Sequence, residues 1–108
     1  MANPIYTDLK ILDGDLALDE FGQPIFIFDR DVIAQDLRHA IQESGLLELL
    51  IGERSQSQRK LIFKKLRILV ETDLRIVPGT SQVETVTNEK ILISGETDFG
   101  PISLGASL

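Results

Sequence analysis

The sequence predicts an α+β domain with two helices packed on a mostly antiparallel sheet, in the order β-β-β-α-α-β-β-β. Three observations carry that expectation. Short β-forming runs sit at both ends of the chain, two central segments repeat apolar residues at helical spacing, and turn dipeptides separate them. At 108 residues the chain is read as one domain, 1–108, with a single modest core.

Leu9, Ile11 and Leu12 form a first short strand that ends at Asp13-Gly14, a dipeptide suited to a tight hairpin because Gly accepts positive φ. Leu16 and Leu18 alternate with Ala17 in a second strand, and Glu20 to Pro24 is the next turn. Ile25-Phe26-Ile27-Phe28 is apolar on both faces, which predicts cover on both sides, a helix on one and a partner on the other.

Asp29 or Asp31 is placed to cap a helix reaching about Ser44, with Ile33, Leu37, Ala40 and Ile41 on one stripe and Gly45 as the stop. The dense apolar segment Leu46 to Ile51 fits either a helical turn or a buried strand. Ser55 and Gln58 have the spacing of a capping box, with the Gln58 side chain reaching back. The helix they open runs to about Thr72. Ile62, Leu66, Leu69 and Val70 are its apolar stripe, widened by Leu61 and Phe63. Val77 to Thr80 reads as a loop, Gln82–Val86 and Lys90–Ser94 as a hairpin turning at Asn88-Glu89, and Ile102 with Leu104 as a short edge strand.

Charge is segregated along this plan. Residues 1–53 hold eleven acids and three bases, residues 54–67 six bases and no acid, and residues 68–108 six acids and two bases. On the second helix, Lys60, Lys64 and Arg67 recur at i, i+4 and i+7, and with Arg59 they make a basic ridge. Such a ridge suits an acidic neighbour, whereas the net charge of −6 and the lack of an aromatic platform weigh against nucleic acid.

Little in the sequence resembles catalytic or metal-binding chemistry. With no Cys and with His39 alone, no ordinary zinc site or disulfide framework is expected, and no cofactor is implied. No Gly-x-Ser-x-Gly elbow and no glycine-rich phosphate loop occur. The acids Asp13, Asp15, Asp19 and Glu20 lack the spacing of a calcium loop, and nothing in the spacing sets two of them across a sugar cleft. No apolar run approaches the ~20 residues of a membrane span. The start, Met1-Ala2-Asn3-Pro4, lacks the basic and apolar parts of a signal peptide. The remaining unusual segments are Gly52-Glu53-Arg54, which opens the basic helix, and Asp73-Leu74-Arg75, which follows it. Arg75 is expected to offer a planar fork to a partner's carboxylate or carbonyl groups, while pairing with Asp73 or Glu71 is the plainer alternative.

At these residues the chain resembles the baseplate wedge proteins of contractile phage tails, the sheath-initiator family once labelled lysozyme-like. The likeness runs from about residue 8 to 105. It includes Asp8 to Asp19, the helix Val32 to Ile41, the Gly52-Glu53-Arg54 junction and the terminal strands. The family's Glu-Pro-Arg motif is matched by Asp73-Leu74-Arg75, in which only the arginine is identical. The resemblance implies a structural role in the virion baseplate, assembled in the host cytoplasm in six copies around the tail tube. It implies docking on wedge subunits, partly through the arginine motif, and terminal strands that template the first ring of tail sheath protein. The tail tube is a further expected neighbour. Its older label implies the alternative, a peptidoglycan-degrading enzyme.

Overall fold

The computed structural model describes residues 3–108, so the first two positions of the segment read against a signal peptide lie outside them. The described residues are mixed α+β, as expected, but with three helices and seven strands. Strands β1 (Thr7–Leu9), β2 (Ile11–Leu12), β3 (Asp15–Leu16) and β4 (Phe26–Phe28) precede helices α1 (Arg30–Ser44), α2 (Leu46–Leu50) and α3 (Gln56–Glu71). Strands β5 (Gln82–Thr87), β6 (Lys90–Thr97) and β7 (Gly100–Ser107) complete the chain.

The single sheet expected from the sequence is replaced by three separate antiparallel groups: β1-β4, β2-β3 and β5-β6-β7. Only the last of these builds the main core. Ile91 and Ile93 of β6 alternate inward beside Ile102 and Leu104 of β7, and all four are at most 5% exposed. Ile33, Leu37 and Ile41 of α1 join them in one cluster with Ile62, Leu66 and Val70 of α3. Most of each apolar stripe read from the sequence is thus buried, with Ala40, Leu69 and Phe63 only half-buried. Leu61 departs furthest: it is 46% exposed and does not widen the core stripe.

Helix α2 resolves the ambiguous segment. Gly45, at φ 73°, ends α1 in the left-handed region that favours glycine, and the chain starts a new five-residue helix whose Leu50 is buried. The terminal strand is also longer than expected. β7 spans eight residues and pairs along the whole of β6, because its pattern places Ile102 and Leu104 on the inner face.

Residues 5–29 form a distinct N-terminal lobe. Asp13 (φ 52°) and Gly14 (φ 82°) make the expected tight turn between β2 and β3. Lys10, Ala17 and Ile25 close a backbone triangle. The Lys10 amide donates to the Ile25 carbonyl (2.8 Å), the Ile25 amide to the Ala17 carbonyl (3.0 Å), and the Ala17 amide to the Lys10 carbonyl (2.9 Å). Three short ladders leave this triangle: β1-β4, β2-β3, and a bridge between Leu18 and Pro24. The lobe is therefore a three-armed pinwheel. With the core domain its radius of gyration is 15.2 Å, against about 13 Å for a compact chain of this length.

Candidate partner-binding surface

The residues singled out in the sequence fall along α3 and at its two ends. Ser55 caps the helix, its hydroxyl accepting from the Gln58 amide at 3.4 Å. The reciprocal arm comes from a different residue. Glu53 Oε1, not Gln58, takes the Ser55 amide at 2.9 Å, a local contact from two residues upstream. Arg59 donates to the Glu53 carbonyl at 3.2 Å and lies 5.7 Å from the centroid of the Phe63 ring. It is a half-buried brace and not part of the outward ridge. Glu53, Arg54 and Arg59 line one wall of an open groove of about 700 Å³, with Thr85, Asn88 and Glu89 opposite.

Lys60, Lys64 and Arg67 are exposed along the helix as expected, and Lys65, which the spacing argument passed over, is exposed beside them. Among the described residues none of these four cations forms a salt bridge. Leu61 and Ile68, 46% and 54% exposed, interrupt the charge. One signal of that apolar stripe was available: Leu61 and Ile68 are seven positions apart, two turns on one face.

The other end of α3 departs from the expectation most. Arg75 does not offer a free fork. Its Nε donates to Asp73 Oδ1 at 2.9 Å and its Nη2 to Asp73 Oδ2 at 2.6 Å, a two-pronged pairing. The same Nη2 reaches Asp36 Oδ2 of α1 at 3.0 Å, and the guanidinium lies 5.3 Å from the Tyr6 ring centroid. Tyr6 in turn meets Phe99 edge-on, with centroids 5.8 Å apart. The hydrogen bonds from Arg75 hold the Asp73 carboxyl below its usual pKa, against an opposing push from partial burial, and the two carboxylates push the Arg75 pKa upward. Pairing with Asp73 was the plainer of the two readings; the bond to Asp36 and the stack on Tyr6 required the fold.

This clasp ties α1, the end of α3 and the N-terminal lobe together. Further tethers reinforce it. Asp29 sits at the N-cap of α1 but gives no side-chain cap; its Oδ1 accepts the Ile5 and Tyr6 amides at 2.9 and 3.0 Å. Gln35 accepts from the Ile11 amide and donates to the Leu9 carbonyl, at 2.8 and 2.9 Å. Between its two braced neighbours Leu74 is 97% exposed, the most exposed large apolar residue among those described. Beyond the clasp, Glu71 gathers the following loop. Ser81 lies against its carboxylate, and the Gly79 and Ser81 amides donate at 2.7 and 3.0 Å. Those groups lower the Glu71 pKa, although the buried Ser81 hydroxyl makes no hydrogen bond of good geometry.

His39 Nε2 lies 3.0 Å from Glu43 Oε1 on an exposed face of α1. Among the described residues no group of three or more His, Cys, Asp or Glu is placed to hold a metal ion. No described helix is long and apolar enough to cross a membrane.

Fold and surface together define a small α+β protein in which Lys60, Lys64, Arg67 and Leu74 face outward while Arg59, Asp73 and Arg75 are held by internal contacts. The chain belongs to the family described as "Protein of unknown function (DUF2590)", whose model matches residues 7–105. It is similar to the "Uncharacterized 12.7 kDa protein in lys 3'region" of Haemophilus phage HP1 (strain HP1c1). The two are 42% identical over 97 residues, covering 89% of this chain and 87% of the phage protein. No solved structure matches.

Proposed function

We propose that this chain is a non-enzymatic assembly protein of a contractile phage tail baseplate. In this reading six copies dock on wedge subunits near the tail tube and template the first ring of sheath. The observation that carries it is Leu74. A large aliphatic side chain 97% in water, on a turn held rigid by the Asp73–Arg75–Asp36 clasp, is the geometry of a docking knob. The roles within the motif are then divided: Arg75 and Asp73 brace, and Leu74 makes contact.

Three further points support the reading. A similar protein is encoded by a phage. The sheet β5-β6-β7 ends on β5, whose residues are mostly exposed, so that edge is open to an added strand. Asp19, one of the acids of the lobe, serves a turn: its Oδ1 accepts the Phe21 and Gln23 amides at 2.8 and 2.9 Å.

The test is assembly with Leu74→Asp. The variant chain is expected to melt as the parent does, while tails built with it lack both this protein and sheath. Tails with normal content of both would overturn the docking role. Removing everything after Lys90 is a poorer test, because it deletes Ile91, Ile93, Ile102 and Leu104 from the core.

A further inference from the structure

The pinwheel carries a surface that its own fold leaves open. Side chains alternate along strands, and residues paired across an antiparallel ladder point to the same side. The triangle residues Ala17 and Ile25 turn inward, Ala17 being 8% exposed and Ile25 half-buried. Their sequence neighbours therefore line the opposite face, where all but the half-buried Leu9 are exposed. Those neighbours are Leu9, Ile11, Leu16, Leu18, Pro24 and Phe26, paired as Leu9–Phe26, Ile11–Leu16 and Leu18–Pro24. All six are apolar. Ile11 and Leu16 are 44% exposed, and Leu18 and Phe26 56%. The surrounding lobe is acidic, with six acids against one base in residues 3–29.

The outer face of α3 is its counterpart. Leu61 and Ile68 supply an exposed apolar stripe, with Lys65 between them and Lys60, Lys64 and Arg67 on one flank. Seven helical residues separate the two apolar contacts by ~10.5 Å. A six-residue ring with alternating strand and ladder spacings is roughly 11 Å across. Both faces are exposed in the same molecule, so neither covers the other.

We infer that α3 of one copy docks on the N-terminal pinwheel of a second copy. Leu61 and Ile68 seat in the apolar ring, and the lysines face Asp15, Glu20 and their acidic neighbours. The contact is head-to-tail: each copy offers two different faces, so copies join into a ring if the rotation closes and into a filament if it does not. This interface stands on the chain's own surfaces and survives failure of the baseplate reading.

Sedimentation of the full chain over a hundredfold concentration range tests it. In about 50 mM salt the parent is expected to associate as concentration rises, with affinity at least about tenfold weaker in about 500 mM salt. The variants Lys64→Glu/Lys65→Glu and Asp15→Lys/Glu20→Lys are each expected to stay monomeric with native circular dichroism. Their equimolar mixture, and one chain carrying all four changes, is expected to associate again. A parent that is monomeric throughout overturns the inference. So does a mixture that fails to associate, or a dimer indifferent to salt and to both reversals. Binding of a lysine-rich amphipathic peptide by a strictly monomeric parent would assign the pinwheel to another protein instead.

Discussion

The core domain and the pinwheel use apolar residues in opposite ways. Of the buried apolar residues among those described, only Ala17 lies before Arg30, whereas eight of the fifteen exposed large apolar residues do. The core domain is stabilised chiefly by burial, and the lobe by backbone hydrogen bonds and a few polar tethers. Burial of a large aliphatic side chain contributes about 1.5–3 kcal/mol, a tether about 1 kcal/mol. The domain therefore supplies the stability, and the lobe, lightly attached, leaves much of its hydrophobic surface exposed.

That contrast can be broken at several points. The largest effect is expected from Leu66→Ala, at a fully buried site where α1, α3 and the sheet share one cluster, with a loss of about 2–5 kcal/mol in denaturant unfolding. Arg75→Ala comes next. It leaves Asp73 without its fork and frees Tyr6, so about 2 kcal/mol is expected, with lobe amides exchanging faster than those of β6.

The clasp also sets a pH dependence. Asp73 is depressed in the folded chain, so its contribution is complete above the ordinary carboxylate range and is lost as pH falls through the lowered folded value. Thermal melts of the parent should thus lose stability below about pH 4. Asp73→Asn should flatten that part of the profile. The smallest effect is expected from Leu18→Ser. Because Leu18 is 56% exposed, unfolding should change by no more than about 0.5 kcal/mol; a loss above about 2 kcal/mol would mean the ring is core.

Much of the core domain was legible in the sequence, because its signals are local and periodic. The stripes Ile33-Leu37-Ile41 and Ile62-Leu66-Val70 follow from helical spacing and are buried as read. The hairpin at Asp13-Gly14 followed from the backbone freedom of glycine. The pinwheel did not follow, since its triangle joins Lys10, Ala17 and Ile25 through backbone groups that leave no mark on side-chain choice. The run Ile25 to Phe28 shows the boundary well. Its two-faced apolar pattern predicted cover on both sides, yet Phe26 and Phe28 are 56% and 47% exposed in the single chain.

The candidate surface divides in the same way. Lys60, Lys64 and Arg67 were legible from a helical repeat and do line an exposed ridge. Arg59 and Arg75 carry the same charge in the same region, but three-dimensional neighbours consume their hydrogen bonds. A charge pattern reports which residues can face outward; it does not report that Tyr6 or Asp36, far away in sequence, will meet Arg75.

Hydrogen exchange, amide by amide, on the dilute full chain tests the contrast most directly. The amides of β6 and α3 should exchange only through global unfolding, while those of Tyr6, Ile11, Ala17 and Ile25 exchange through a smaller local opening, and Arg75→Ala should widen the gap. Equal protection in the two regions, unchanged by Arg75→Ala, would contradict it: the pinwheel would then be part of the same cooperative core.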